Sequence, residues 1–197
     1  MKLRAAGITA QVILILCLPV LLLTTSILWA VNSSWLYEYG FDKYNISQNT
    51  GLAQSELEKA ATGLIRYFNS GEEIISLAVT KDGKSFELFN EREVAHLRDV
   101  KGLIRLNHQV LLGTLIYVLG YAAIASFRRK YRRLAQGLVG GSGLTLGLIL
   151  VLGVAMAFNF EQLFWQFHII SFTNELWLLD PTRDYLIMLF PSGFWFD

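Results

Sequence analysis

The sequence contains few of the residues that form disulfides, metal clusters or reactive thiols. Of its 197 residues, one is cysteine and three are histidine. Cys17 stands alone inside an apolar run, so intrachain disulfides and thiolate metal clusters are excluded, and we interpret it as a small hydrophobic residue. Three histidines without a second cysteine do not form a usual structural zinc site. A haem bound by two histidines stays open, but nothing in the sequence supports it, and we expect neither a metal nor a cofactor.

Charged residues are also scarce. They make up only 17% of the chain, whereas 53% of its residues are hydrophobic and the mean hydropathy is +0.41. Soluble domains carry about a quarter charged residues. The net charge of +1 says nothing about nucleic acid, but the sequence shows no basic stripe, and we expect no nucleic-acid partner. The composition therefore predicts that much of the chain contacts lipid.

Three long apolar runs cover residues 12–31, 110–127 and 134–158. Each is close to the ~20 residues that an α-helix needs to cross a hydrocarbon core, and we predict three spanning helices. A cleaved signal peptide is the alternative for the first run. Its apolar region is long for a signal peptide and no A-x-A site follows it, so a retained helix is favoured.

The third run is rich in glycine. Gly137 with Gly141 and Gly143 with Gly147 form G-x-x-x-G pairs, which allow helix backbones to approach closely. We therefore predict that these glycines pack against another helix. The segment G-G-S-G-L around Ser142 is not a G-x-S-x-G nucleophile elbow, because a leucine stands where the last glycine should be.

The charges are distributed unevenly along the chain. The tail with Lys2 and Arg4, and the loop R-R-K-Y-R-R at 128–133, carry basic residues and no acidic ones; all 16 acidic residues lie elsewhere. The positive-inside rule then places the tail and this loop in the cytoplasm. The predicted order is a cytoplasmic tail (1–11), a spanning helix (12–31), an extracytoplasmic domain (32–109), a second span (110–127), the basic loop (128–133), a third span (134–158) and an extracytoplasmic or interfacial segment (159–197).

The extracytoplasmic segment between the first two spans has the pattern of a small α+β domain. Apolar residues recur at helical spacing over residues 55–68. Asp82-Gly83 lies between the strand-like runs I-I-S-L-A-V-T and S-F-E-L-F, which predicts a β-hairpin. The predicted fold class is thus an α-helical membrane protein with three spanning helices and a small extracytoplasmic α+β domain between the first and second.

A group of polar residues opens the helix that follows the hairpin. Asn90 and Glu93 form a capping-box pattern. Arg92, His96 and Asp99 then fall on one helical face, where Asp99 could reach the His96 ring and fix its tautomer. A solvated charged face would explain the same spacing.

The remaining histidines lie near the predicted membrane interface. His168 follows the third run among Phe164, Trp165 and Phe167. Aromatic residues are typical of that interface, and a histidine buried among them requires a partner. His168 is therefore either an ordinary interfacial anchor or a functional group. His108, at the start of the second run, is interpreted as marking the boundary with water.

Two motifs resemble those of a bacterial family of integral membrane proteins that includes the lipoprotein intramolecular transacylases. One is F-x-x-L-F-x-x-F-H-x-x-x-F-x-N-x-x-W-x-L-D-P-x-x-D-x-L-I-x-x-F-P at residues 160–191, and the other is E-x-x-H-x-x-D-V at residues 93–100. The order of apolar and polar segments is also similar, so that the resemblance covers nearly the whole chain. Family members usually continue into a fourth spanning helix, and we expect this chain to be a fragment or to lack that helix.

The resemblance implies a membrane acyltransferase. Family members move the sn-2 acyl chain of a diacylglyceryl-modified lipoprotein onto the α-amine of its own N-terminal cysteine, which gives a lyso-form lipoprotein. The two histidines that matter in the family correspond by motif to His96 and His168, whereas His108 matches neither motif. The residues expected to support them or to bind substrate are Arg92, Glu93, Asp99, Asn174, Trp177, Asp180, Arg183 and Asp184.

The implied partners are diacylglyceryl lipoproteins and membrane lipid, and the implied location is the bacterial cell membrane, with the active site at its outer face. Two alternatives stay open. One is a non-catalytic sensor or assembly protein whose outer domain binds a partner. The other is a different lipid-modifying acyltransferase or hydrolase on the same scaffold.

For the implied chemistry, His96 and His168 must meet although they are far apart in sequence. In one straight helix over residues 91–127, His96 would lie about 20 Å from the start of the second apolar run, at ~1.5 Å per residue, which is too far from a lipid ester. We therefore predict that this helix bends or breaks near Gly102 or Asn107 and that both rings converge on one cleft.

The charge pattern makes a testable prediction about topology. A reporter fused after Arg133 should read cytoplasmic, and one inserted near Asp82 should read external, because basic loops are retained on the cytoplasmic side. The measurement is the activity of a paired reporter that works on only one side of the membrane. An external signal after Arg133 would contradict the predicted orientation.

Overall fold

The structure, a computed structural model, describes residues 2–196, with side chains from residue 6 onward. The elements in chain order are α1 (Lys2–Val31), α2 (Ser34–Lys43), α3 (Ile46–Thr50), α4 (Gln54–Asn69), β1 (Ala78–Lys81), β2 (Lys84–Glu87), α5 (Glu91–Phe127), α6 (Tyr131–Ser171), α7 (Tyr185–Leu189) and α8 (Ser192–Phe196). They form two compact units. The first contains the chain up to Trp29 with Arg105–Phe158, and the second contains Ala30–Ile104 with the chain from Asn159 onward.

The first unit is built from long apolar helices. Within the described part of the chain, three helical segments are long and apolar enough to cross a membrane, namely Ala6–Val31 and the whole of α5 and α6. Many of their large apolar side chains are exposed, such as Leu23 at 59%, Ile116 at 63% and Val139 at 74%. Such a surface suits hydrocarbon and not water, because contiguous apolar patches of this extent are rare on soluble proteins.

Glycines of α6 allow α1 to pack closely against it. A Cβ atom at Gly137 would lie 2.6 Å from Leu14, and one at Gly141 would lie 2.4 Å from Leu18. The packing role predicted for this pair is therefore confirmed. A Cβ atom at Gly143 or Gly147 would meet no described atom within 4 Å, so the second G-x-x-x-G pair does not pack in this way.

The second unit has its own hydrophobic core, formed by α2, α3, α4, the hairpin, the beginning of α5 and the C-terminal segment. The helix predicted over 55–68 is α4, and the predicted hairpin is β1 and β2, paired antiparallel with Val79 opposite Phe86. Asp82 and Gly83 both have positive φ, 52° and 76°, as a two-residue type I′ turn requires. Both predictions are confirmed. The short helices α2 and α3 were not predicted.

The predicted break in the helix that carries His96 is wrong. The capping box is present, since Glu93 Oε2 accepts from Asn90 N at 2.8 Å and Asn90 Oδ1 accepts from Glu93 N at 3.1 Å. From there α5 continues as one helix through Gly102 and Asn107 to Phe127. A helical glycine costs only about 1 kcal/mol relative to alanine, which is too little to interrupt a helix of this length.

The non-helical residue lies in α6 instead. Asn159 has φ −159° and ψ 79°, and its side-chain oxygen accepts from Gln162 N at 3.0 Å. Asparagine in this role is a good N-cap, so the helix restarts after Asn159. Residues 160–171 thus form a separately capped helical segment of α6 within the second unit, and this segment carries His168.

Two buried carboxylates attach the C-terminal segment to the start of α5. Glu93 and Asp184 are each only 1% exposed. Glu93 Oε1 accepts from Leu186 N at 2.6 Å, while Asp184 accepts from Asn90 Nδ2 at 2.9 Å and from Asp180 N at 2.7 Å. Each carboxylate therefore satisfies backbone or amide donors that would otherwise be buried without a partner.

The glycine packing predicts that an added side chain destabilises the fold where a glycine contacts α1 and not where its surroundings are open. Gly141→Leu should lower the free energy of unfolding by about 1–3 kcal/mol, because the new side chain overlaps Leu18. Gly147→Leu is the matched control, and it should be neutral or slightly stabilising because its surroundings are open. Thermal unfolding of both variants in detergent measures the difference. Equal stability of the two variants would contradict this packing.

The carboxylate cluster predicts a second difference in stability. Glu93→Ala should cost about 1–3 kcal/mol, because it leaves the buried N–H of Leu186 without its acceptor. Glu91→Ala, an exposed change two residues earlier in the same helical turn, should cost less than about 1 kcal/mol. Chemical denaturation followed by tryptophan fluorescence compares them. A Glu93→Ala protein as stable as the Glu91→Ala protein would show that the cluster is dispensable.

Candidate active site

The second unit brings His96 and His168 together. Their ring centroids lie 6.2 Å apart with the ring planes 31° from each other. His96 comes from the second turn of α5, and His168 from the capped part of α6. Both are buried, with 6% and 8% of their surface exposed. The structure therefore agrees with the prediction that the two rings converge, although the helix between Glu91 and Phe127 does not break.

The tautomer of His168 follows from one hydrogen bond. Its Nδ1 lies 2.7 Å from the carbonyl oxygen of Phe164, one turn earlier in the same helix. A carbonyl oxygen can only accept, so Nδ1 carries the proton and donates. In the neutral ring the lone pair is then on Nε2, which has no hydrogen bond to any described residue. His168 is thus held with Nε2 available as a base.

Aromatic side chains enclose the His168 ring. Their ring centroids lie between 4.5 and 5.7 Å from it, and they belong to Phe164, Trp177, Phe167 and Phe172. Phe172 also meets the edge of His96 at 5.1 Å, so it contacts both histidines. Such walls keep water from the pair and fix the ring orientations. Phe172 was not singled out as a site residue from the sequence, although it is a fixed position of the family motif and lies one helical turn after His168.

His96 has a buried nitrogen without a partner. Among the described residues, its Nδ1 is the one buried side-chain nitrogen or oxygen with no hydrogen bond. Leaving a buried polar atom unpaired costs about 1–3 kcal/mol. Such atoms are rare in folded proteins and indicate a functional constraint when they occur beside a second ionisable group.

The helical spacing suggested that Asp99 could reach the His96 ring. In the structure Asp99 instead binds a residue of the C-terminal segment. Its Oδ2 accepts from Asn174 Nδ2 at 2.8 Å. Arg92, on the same face of α5, donates to the carbonyl oxygens of Glu175 at 2.5 Å and Leu176 at 3.4 Å. These bonds hold residues 172–179, which we call the strap, against α5. The polar face predicted on α5 therefore binds backbone and amide groups of the strap.

The other predicted site residues form a separate group after the strap. Asp180 accepts from the hydroxyl and the backbone N–H of Thr182, and these hydrogen bonds lower the pKa of its carboxyl group. Arg183 is exposed and lies 3.6 Å from Asp180 and 3.5 Å from Asp184. Together with Glu93, these residues shape the C-terminal segment, and their carboxylates are occupied by donors of the chain itself.

His108 belongs to the first unit and is not part of the pair. Within residues 2–196, no group of three or more histidine, cysteine, aspartate or glutamate side chains could hold a metal ion. The pair itself offers acid–base chemistry. One imidazole can take a proton while the other gives one, which suits a reaction that needs both steps at a single centre.

The similarity of this chain to known proteins covers nearly all of it. Residues 12–195 match the family model described as the lipoprotein intramolecular transacylase Lit. An uncharacterized protein of Aquifex aeolicus (strain VF5) is 27% identical over 191 residues, which cover 95% of this chain and 83% of that protein.

Two solved structures have the same fold. The lipoprotein intramolecular transacylase Lit from Bacillus cereus superimposes with a TM-score of 0.80 at 21% identity, covering 98% of this chain and 85% of that one. A variant of the same protein with one histidine replaced by alanine gives a TM-score of 0.75 at 21% identity, covering 98% and 84%.

These similarities confirm the predicted fold class, an α-helical membrane protein with three spans and a small helix-and-hairpin region between the first and second. The chain is an integral, multi-pass membrane protein. Because the family model matches from the first predicted span to two residues before the C-terminal residue, the chain belongs to the Lit family of lipoprotein intramolecular transacylases.

Proposed function

We propose that this protein moves the sn-2 acyl chain of a diacylglyceryl-modified lipoprotein to the α-amine of the N-terminal cysteine of the same lipoprotein. His96 and His168 transfer the protons. The observation that carries the proposal is the approach of these two buried rings to 6.2 Å. The family supports the class of reaction, and the proximity of the two rings supports the choice of His96 and His168, which the family motifs had predicted.

The reaction needs one proton removed and one proton supplied. The α-amine has a pKa near ~8 and must lose a proton to attack the ester carbonyl carbon. A C–N amide bond then forms, the C–O ester bond breaks, and the sn-2 glycerol oxygen must gain a proton. No serine or cysteine nucleophile is required.

The two rings suit these two steps. His168 accepts the amine proton at Nε2, because Nδ1 is already committed to the carbonyl oxygen of Phe164. Burial and the neighbouring His168 lower the pKa of His96 to about 4, so its ring is neutral at pH 7. His96 therefore relays the proton: one of its nitrogens accepts the proton from His168 while the N–H of the other donates to the departing glycerol oxygen. The ring centroids are 6.2 Å apart, so both rings can reach the reacting groups of one substrate placed beside them. The proton taken from the amine is thus the proton given to the glycerol oxygen, so both rings end neutral, and His96 returns to its first tautomer before the next cycle.

The substrate itself lowers much of the barrier. The amine and the ester belong to one molecule, so holding them in contact replaces a bimolecular encounter, which is worth up to about 7–11 kcal/mol in well-oriented cases. The aromatic walls around His168 then exclude water, which would otherwise compete with the amine and hydrolyse the ester.

The orientation inferred from the charges fits a lipoprotein substrate. With the basic loop at 128–133 in the cytoplasm, the segments before and after the second and third spans are extracytoplasmic. In this arrangement the histidine pair works at the outer leaflet, where diacylglyceryl lipoproteins are anchored. The segment that carries His168 is rich in the aromatic residues that are typical of a membrane interface.

The proposal predicts which histidines matter. His96→Ala and His168→Ala should each reduce acyl transfer by about 10²- to 10⁴-fold, the usual contribution of a general acid or base. His108→Ala is the matched control and should retain the activity of the unchanged protein. The measurement is mass spectrometry of the N-terminal peptide of a lipoprotein from bacteria that express each variant, with circular dichroism to verify folding.

The products distinguish the alternatives. An acyl group moved from glycerol to the amine supports transacylation. An acyl group lost entirely would show a hydrolase, and an unchanged lipoprotein would show that the protein is not catalytic. Transfer that survives both histidine substitutions would overturn the two-histidine mechanism even if the reaction itself stands.

A further inference from the structure

We propose that Trp177 is a positioning residue for His168, and that the hydrogen bond between Asp99 and Asn174 holds Trp177 in place. This inference rests on the proposed function, because it concerns the orientation of the ring that accepts the amine proton. The strap would therefore orient one of the two histidine rings.

The strap is fastened to α5 on both sides of His96. Arg92 binds the carbonyl oxygens of Glu175 and Leu176, and Asp99 binds the Asn174 side chain. Residues 92, 96 and 99 lie on one face of the helix, so His96 stands between the two attachment points. The helix that carries one histidine therefore also fixes the segment that contacts the other.

Asn174 sets the place of the indole ring. Its Nδ2 donates to Asp99, its Oδ1 accepts from Leu176 N at 3.1 Å, and its carbonyl oxygen accepts from Trp177 Nε1 at 3.0 Å. One residue thus joins α5, the strap backbone and the indole. A change in the Asp99–Asn174 bond must alter the position of Trp177.

The indole in turn limits the movement of the His168 ring. The two ring centroids lie 4.8 Å apart and the planes are 32° from parallel. Trp165 also contacts Trp177 edge to face, with their ring centroids 4.7 Å apart. The bond from Nδ1 to the Phe164 carbonyl fixes one edge of the imidazole, and the indole blocks rotation of the ring about that edge. Nε2 is thereby kept in one direction.

An interfacial anchor is the other role that a tryptophan near a membrane commonly has. An anchor would be insensitive to the Asp99–Asn174 bond and would not affect the histidine ring. A positioning residue would depend on the Asp99–Asn174 bond and would affect the histidine ring. This difference decides which experiment is informative.

The first experiment exchanges the two partners of the hydrogen bond. Asn174→Asp places two carboxylates against each other and should reduce kcat by roughly tenfold with KM within about twofold, since it replaces a charged hydrogen bond with a repulsion. Combining it with Asp99→Asn restores one amide and one carboxylate in contact. The double variant should recover to within about threefold of the unchanged protein.

The second measurement does not depend on activity. The protein has only three histidines, so ¹⁵N-histidine labelling with one substitution at a time assigns the ring nitrogens in micelles. The unchanged protein should show His168 as a single Nδ1–H tautomer. Asn174→Asp and Trp177→Leu should each give a mixture of tautomers, and the double exchange should return the single form. Trp35→Leu, which removes an exposed tryptophan stacked on Tyr39, should leave the signals unchanged.

The outcomes separate this inference from the proposed function. If the double exchange fails to restore kcat and the tautomer signal, or if Trp177→Leu leaves both as they were, Trp177 does not position His168. If the unchanged protein transfers no acyl group while the tautomer responses appear as expected, the proposed function is wrong and the hold of Trp177 on the ring is supported.

Discussion

The site depends on the hydrogen bond from the backbone N–H of Leu186 to the buried carboxylate of Glu93, at 2.6 Å. This bond joins the first turn of α5 to the C-terminal segment within the second unit. His96 lies one turn later on the same helix, and Asp99 follows it with its own bond to the strap. The residues that bring the two histidines together are therefore mostly polar groups that bind backbone and amide partners. They do not need to touch substrate to matter for the reaction.

The histidine pair combines burial with chemical availability. A polar ring enclosed by aromatic side chains is costly unless its nitrogens are paired. His168 satisfies Nδ1 with the Phe164 carbonyl, while neither its Nε2 nor the buried Nδ1 of His96 has a hydrogen-bond partner among the residues that the structure describes. Leaving ring nitrogens unpaired lowers the stability of the fold. The nearby buried carboxylates offset that loss by accepting hydrogen bonds from backbone donors. In the proposed mechanism each ring has one role: His168 Nε2 accepts the amine proton, and the neutral His96 ring relays it to the glycerol oxygen.

Features of the fold that depend on neighbouring residues could be predicted from the sequence, whereas features that depend on contacts between distant residues could not. The turn at Asp82-Gly83 and the cap formed by Asn90 and Glu93 depend on neighbouring residues, so their sequence signals are direct. The helices α2 and α3 are short and are stabilised by the core around them, which leaves little local pattern. The break expected at Gly102 or Asn107 was wrong, because a helix satisfies its own backbone groups and a single glycine does not outweigh that gain.

The candidate site was predictable only in part for the same reason. The pairing of His96 with His168 came from family motifs, since helical spacing by itself offered His96 no partner beyond Asp99. The actual partner of Asp99 is Asn174, which is remote in sequence and gave no periodic signal.

The most direct test of the central claim, that one lipoprotein molecule supplies both amine and acyl chain at this pair, is a crossover experiment with the purified protein. One diacylglyceryl lipopeptide carries deuterated acyl chains, and a second carries ordinary acyl chains on a ¹³C-labelled peptide. We predict N-acylated products that keep each peptide with its own acyl chains. Products that combine the deuterated acyl chain with the ¹³C-labelled peptide would contradict transfer within one molecule.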